Sequence, residues 1–468
     1  MKKLLLFLLF FITFSSQSQD YWTEYSTAQP INSTGVTSIS IIDANNTWLN
    51  MQGYCVLHPC ANTIRQYSKT TNGGTTWTTG TIDLGSDSTN LMIGNISGVS
   101  SLVAYAAVYP ITTVLGGIWK TADGGTSWTR QSAFNDLNSY PELVHFWNSN
   151  EGLAMGNTVG GYFEIYTTIN GGNTWTRLTS TTALIPISGS ERICLNNFTV
   201  VNDTIWVATT LGRILKSTDK GLTWADIQSP ITGIWSGLLF ENPGQNPSNF
   251  RIAFTDQNKG LFITSPGSFA VKIYQTADGG VNWSEIMYTG YARNFDIAAV
   301  PGMPDTYITV GEDTDGIGRG SSYTVDGGQT WVDINPLEQN SIFVDGGVIL
   351  MLNEDHGFAG GYSTSPELAG VFKWGGGALL RQAQLTISNF SENQSIVVTP
   401  NPTSGLLNLT GKNITQIEMS DVLGKQIINQ TCTALETVIL NLDFLISGIY
   451  ILRVTNDEGT FVSKVIKK

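Results

Sequence analysis

Short apolar runs closed by Gly, Asn, Asp or Ser dominate this chain, and most are too short for amphipathic helices. Seven share one form, strand-forming residues running into small ones: NTWLNMQG, LVAYAAV, EGLAMGN, TIWVATT, KGLFITS, DTYITVG and HGFAGG. About 20 to 30 residues after each of the first six comes a hairpin pattern. In the second copy, Gly117-Ile118-Trp119-Lys120 enters, a polar turn follows, and Trp128-Thr129-Arg130 leaves.

The hairpin turns repeat almost letter for letter. TTNGGTTW ends at Trp77, TADGGTSW at Trp128, TINGGNTW at Trp175, STDKGLTW at Trp224, TADGGVNW at Trp283 and TVDGGQTW at Trp331, so successive copies stand 47 to 59 residues apart. That period with β-rich flanks predicts one four-stranded propeller blade per copy. Asn72, Asp123, Asn170, Asp219, Asp278 and Asp326 sit where a short side-chain oxygen accepts backbone N–H bonds. Gly74, Gly125, Gly172, Gly221, Gly280 and Gly328 follow two residues later, where a positive φ is expected. The seventh apolar run, around Phe358, leads to Gly370-Val371-Phe372-Lys373-Trp374 without a following turn of this kind, which gives seven blades. Tyr21-Trp22-Thr23-Glu24-Tyr25 resembles the leaving strands and is expected to complete the seventh blade, hiding the edge between first and last.

The pattern S/T-x-D/N-x-G-x-T-W resembles the Asp box of BNR-repeat propellers, a group that includes sialidases, xyloglucanases, the sortilin luminal domain and the photosystem II assembly factor family. The resemblance implies an all-β propeller in which the box is a structural turn away from the binding face. It leaves function open.

The two ends read differently. Met1-Lys2-Lys3, the apolar run Leu4 to Phe14 and the small, polar Ser15-Ser16-Gln17-Ser18 have the layout of a secretory signal peptide over 1–18. No apolar run reaches the roughly 20 residues of a membrane-spanning helix. The propeller is expected over 19–380 and a polar linker over 381–394. Alternating strands of a compact β-sandwich then fill 395–468.

That last segment carries Thr399-Pro400-Asn401-Pro402, then Gly424-Lys425, then Gly448-Ile449-Tyr450, and ends in Lys467-Lys468. These blocks resemble the type A sorting domain of the Bacteroidetes type IX secretion system. The resemblance implies export across the outer membrane by that machinery, with the sorting domain removed and the cargo held at the surface or released.

Composition narrows the chemistry. A net charge of -13 with only 24 basic residues offers no footprint for nucleic acid. Cys55 and Cys60 bracket a short loop and are candidates for a local disulfide. With His58 they make only three zinc ligands at the wrong spacing. Glu312, Asp313 and Asp315 crowd one loop, read as solvated and acidic rather than as a calcium site, since no twelve-residue ligand pattern is completed. His145 and His356 stand beside no nucleophile motif. Phe250-Arg251-Ile252-Ala253 echoes part of a sialidase motif but lies between the fourth and fifth boxes and reads as an ordinary strand.

No catalytic residue, cofactor or metal is assigned. The expected function is a monomeric, secreted or surface propeller that binds a glycan, peptide or protein, with Tyr109, Tyr140, Trp235, Tyr288 and Tyr291 as candidate ligand-face aromatics. The alternative is a secreted glycoside hydrolase, which requires two carboxylates, or an arginine cluster with Tyr and Glu, converging on the central pocket. A binding module requires aromatics and amides there instead.

Overall fold

The computed structural model describes residues 21–27, 34–53, 65–178, 184–231, 249–265, 271–312, 319–337, 347–363, 370–387, 396–421, 425–457 and 459–468. The leader, Cys55, His58, Cys60, Trp235, Asp313, Asp315 and Gly424 lie outside them. Seven antiparallel sheets form between Trp22 and Trp374, one per blade. Their innermost strands are Thr34–Ile41, Leu91–Gly98, Pro141–Phe146, Ile193–Val201, Asn249–Phe254, Asp296–Ala299 and Ile349–Asn353. The seven small-residue runs of the sequence are the second strands. The seventh sheet takes its outer strand from the N-terminus, with Trp22 opposite Trp374 and Ser26 opposite Gly370.

Each box closes the hairpin between third and fourth strands. At the second box the Thr121 hydroxyl donates to Asp123 Oδ1 at 2.9 Å and accepts from Gly125 N at 2.8 Å, while Ser127 N donates to the same carboxylate at 2.9 Å. The other five repeat this set. Gly125 holds φ +94°, where an added Cβ would strike the Tyr67 hydroxyl. Box residues also bind the turn joining their blade's first two strands: Gly73, Gly124, Gly171, Lys220, Gly279 and Gly327 each donate a backbone N–H to it. Both sets of turns therefore share one face.

The core lies between blades. Six apolar clusters each join neighbouring blades, and the box tryptophans sit in these seams rather than within their own blade. Trp77 meets Phe358 of the seventh blade edge-on at 5.4 Å, and Trp128 meets Trp48 of the first at 6.4 Å.

A lysine on the third strand completes the seam. Lys69, Lys120 and Lys216 donate to Gly124 O, Gly171 O and Gly279 O of the next blade's box at 2.7, 2.7 and 3.2 Å. Each also lies over an aromatic ring, Trp48, Tyr105 or Trp206, at 5.0 to 5.3 Å. The fourth box carries Lys220 in place of the first glycine, and the third blade has Thr167 where blades one, two and four place lysine, which avoids two cations in one seam.

An inner girdle joins all seven junctions. Ser38 accepts from Ile96 N, Asn95 pairs with both backbone groups of Val144, Asn157 accepts from Ile193 N and Asn197 donates to Phe250 O. Arg251 then pairs with Asp296, Asp296 accepts from Ile349 N, and Val36 N donates to Gly361 O. Each neutral bond contributes about 1 kcal/mol net, but losing one partner leaves a buried polar group unpaired.

Beyond the propeller, Gly377–Ile387 is helical, covering part of the stretch read as linker. The C-terminal module is one five-stranded sheet in which Leu406–Asp421 and Gln426–Asn441 run its full length. Register shifts near Ile414 break the long ladder, and its two halves share a single core that includes Leu407, Leu440, Leu452 and Val465. The sandwich packing expected from the sequence thus comes from one folded sheet. Its sequence blocks meet structurally. Asn401 Oδ1 accepts from Ile466 N of the last strand at 2.9 Å, Lys425 N donates to Asp421, and the buried Tyr450 hydroxyl donates to Ile446 O at 2.9 Å. Gly448 opens the penultimate strand and Lys467 closes the last, while Pro400 and Pro402 flank Asn401.

Candidate functional site

The innermost strands enclose a central cavity of about 600 Å³. Its lining includes Thr37, Asn95, Asn196, Arg251 and Asp296 nearer the strand starts, and reaches Ile41, Asn202, Asp256, Gly302 and Leu352 at the strand ends and the turns after them. These turns lie on the Asp-box face, so the cavity extends toward that face.

Its inner end is crossed by a bulge. Between Ile193 and Phe198 the innermost strand of blade 4 gains residues against its partner, and Asn196 takes φ +52°. From there its amide donates to Thr37 O of blade 1 at 2.9 Å and Gly94 O of blade 2 at 3.1 Å, spanning the axis.

Hydroxyls and amides dominate the polar lining, but most already bind a neighbouring blade in the girdle. One ion pair is present: Arg251 Nε lies 3.3 Å from Asp296 Oδ1, and Arg251 Nη1 donates to Phe250 O. Burial pushes the Asp296 carboxyl up to about 6, with Arg251 pulling it back only in part. Asp256 instead caps its turn through Asn258 N and Lys259 N. His145 lines the cavity edge-on to Trp147, and burial lowers it to about 4, which leaves a neutral imidazole in ordinary conditions.

The expected ligand-face aromatics fare unevenly. Tyr109 is buried at the end of a strand and stacks on Tyr140 at 4.7 Å, with the exposed Arg192 guanidinium over the Tyr140 ring. These three lie on the face opposite the boxes. Tyr288 is half-buried and donates to Val271 O, which makes it a packing residue. Tyr291 is exposed.

Two other readings change. Glu312 ends a strand and is buried rather than part of a solvated loop. The Arg251 segment is a strand, as read, but its arginine faces the axis and lines the cavity. Sequence reasoning also passed over Asn196 and the seam lysines. The lysines left a signal, the recurring Lys-Thr or Lys-Ser ahead of boxes one, two and four.

Residues 397–468 match the family described as a secretion system C-terminal sorting domain. No curated protein matches the chain by sequence. Among solved structures, YCF48 bound to D1 peptide aligns at TM-score 0.50 and 18% identity, over 77% of this chain and 96% of that one. YCF48 from Cyanidioschyzon merolae gives 0.49 and 17%, over 76% and 99%. Trypanosoma rangeli sialidase gives 0.46 and 9%, over 95% and 88%. At such identities the likeness concerns the fold alone. The chain is an Asp-box β-propeller of seven blades carrying a type IX secretion system C-terminal sorting domain, which marks it for the cell surface or for release.

Proposed function

We propose that the exported propeller is a binding module for a glycan, peptide or protein rather than a hydrolase. The observation that carries this reading is the lining of the central cavity. Hydroxyls and amides supply its polar surface, and its two carboxylates are committed, Asp296 to Arg251 and Ile349 N and Asp256 to its own turn. A glycosidase needs a carboxylate pair free to exchange protons across roughly 5 to 9.5 Å. Such a pair is not offered by the described lining.

The exposed Arg192 over the half-buried Tyr140 ring, which covers Tyr109, gives the opposite face a second polar-aromatic patch. A glycan and peptide array, run on the purified mature chain with hydrolysis assays in parallel, tests the reading. Saturable binding without product supports it, and released sugar or cleaved peptide overturns it.

A further inference from the structure

A strand edge left unpaired in water invites another strand, so natural sheets close or guard their edges. Two edges of the C-terminal module follow that rule. The last strand, Gly459–Lys467, carries Lys464 and Lys467 and is bound from outside by residues 401–403. Thr403 N donates to Ile466 O and Lys468 N to Thr403 O, both at 2.8 Å, while the Asn401 side chain donates to Lys464 O and accepts from Ile466 N. The strand Ile396–Thr399 is only four residues long.

The third edge is treated otherwise. Gln426–Asn441 runs for 16 residues, pairs on one side with Leu406–Asp421, and has no strand on its other side among the described residues. It holds no Lys, Arg or Pro and a single acid, Glu436. Its register shows which groups are free. Leu442 N donates to Gly405 O, so Leu440 with Leu407 and Val438 with Leu409 are the bonded pairs further along. Thr437, Ile439 and Asn441 therefore turn their N–H and C=O to the open edge, and all three are exposed. Ile439 is 62% exposed, and Leu406, across the ladder from Asn441 on the same face, is 56% exposed. Phe444 is exposed in the turn just beyond.

A free backbone edge beside exposed apolar side chains suits β-augmentation, in which main-chain bonds hold an extended segment and alternate side chains select it. The straight run is short, because the ladder shifts register between Thr410 and Ile414. Two copies joined edge to edge there would share a contact of about 17 by 10 Å each, well under the roughly 800 Å² a side of a stable interface. A transient partner strand fits better, and residues 397–468 match a secretion sorting domain, which export machinery must engage. We infer that an extended strand of that machinery, apolar at alternate positions, adds to the Thr437–Asn441 edge and meets Ile439 and Leu406.

Export of the full chain in a bacterium carrying the type IX machinery is the test, read by immunoblot as the exported against the periplasmic fraction. Ile439→Pro removes one outward N–H and keeps an apolar side chain. Ile439→Ala does the reverse, and Val397→Ala trims an exposed residue of the short edge. Ile439→Pro is expected to lower the exported fraction about tenfold, the weight of one good hydrogen bond, and Ile439→Ala about twofold, with Val397→Ala unchanged. Should calorimetry show that Ile439→Pro unfolds the module, Ile439→Lys replaces it with the same expectation, since it keeps the ladder and adds the charge that guards other edges.

Normal export of the proline variant, or of the lysine variant in its place, overturns the inference. Equal losses from Ile439→Ala and Ile439→Pro overturn strand addition in favour of side-chain contact alone, and an equal loss from Val397→Ala overturns the choice of edge. A wild-type chain that sediments as a dimer, with a monomeric proline variant, gives the edge to a second copy and overturns the assigned partner.

Discussion

Replacing Trp22 by alanine should weaken the ring where the N-terminal strand completes the seventh blade. The indole is 5% exposed, meets Trp374 edge-on at 4.9 Å and donates its N–H to Ser321 Oγ of the sixth blade at 2.8 Å. An aromatic of this kind buries roughly 150–250 Å², which at about 25 cal/mol per Å² gives about 4–6 kcal/mol as an upper estimate. Measured losses for such truncations run at about 3–5 kcal/mol, so about 4 kcal/mol is a working figure.

An unfolding entropy of about 2.1 cal/mol/K per residue over the propeller's roughly 350 residues gives about 0.7 kcal/mol/K. Trp22→Ala should then lower the melting temperature by about 5 °C in differential scanning calorimetry. Trp22→Phe, which keeps the ring and loses a hydrogen bond of about 1 kcal/mol, should lower it by only about 1–2 °C. A shift under about 1 °C for the alanine variant, or equal shifts for the two, would refute the closing role of this strand.

Other perturbations separate backbone, seam and charge. Gly125→Ala meets both a positive φ and the Tyr67 hydroxyl, whereas Gly160→Ala, at φ +69° with nothing within 4 Å, meets only the first; urea melts should show the larger loss at Gly125. Lys216→Met leaves Gly279 O with only the Trp206 indole donor and should cost about 1.5–3 kcal/mol by the same melts, the range for a charged hydrogen bond. The Asn282 backbone N–H and side-chain amide hold Asp278 down at about 2, below its ordinary value near 4. Its contribution is thus present above pH 4 and lost as pH falls through 2. Asp278→Asn, which copies Asn72 and Asn170 of other boxes, should fold normally and flatten that acid limb in a pH-dependent melt. Asp296 has the opposite sign: its raised value makes its contribution fully present below pH 4 and lost as pH rises through about 6.

The blades were legible in the chain because their turns are local and repeated. A short carboxylate or amide, a glycine at positive φ and a terminal tryptophan lie within eight residues, so no tertiary information is needed to see them. The cavity residues give no such signal. Whether an inner-strand residue faces the axis depends on register and bulges, and Asn196 reaches it only through the irregularity between Ile193 and Phe198. Tyr109 shows the converse error, because a strand-end aromatic looks exposed until its neighbour Tyr140 covers it. The helix Gly377–Ile387 was hidden by its polar residues, although Ala378, Leu379, Leu380, Arg381, Gln382 and Ala383 are all good helix formers.

The seams before boxes two, three and five are directional: one blade gives a lysine and an aromatic from one edge, and the next receives them at its box. In the language of assemblies this is a heterologous contact, which generates a ring only if the rotation per step closes and otherwise continues indefinitely. Nothing in an individual seam specifies seven. The count is imposed by the covalent chain, through the one strand, Trp22–Ser26, that precedes the first blade and pairs with the last. Duplicating one repeat within the chain would satisfy every local contact and still leave that strand to decide whether eight blades can close.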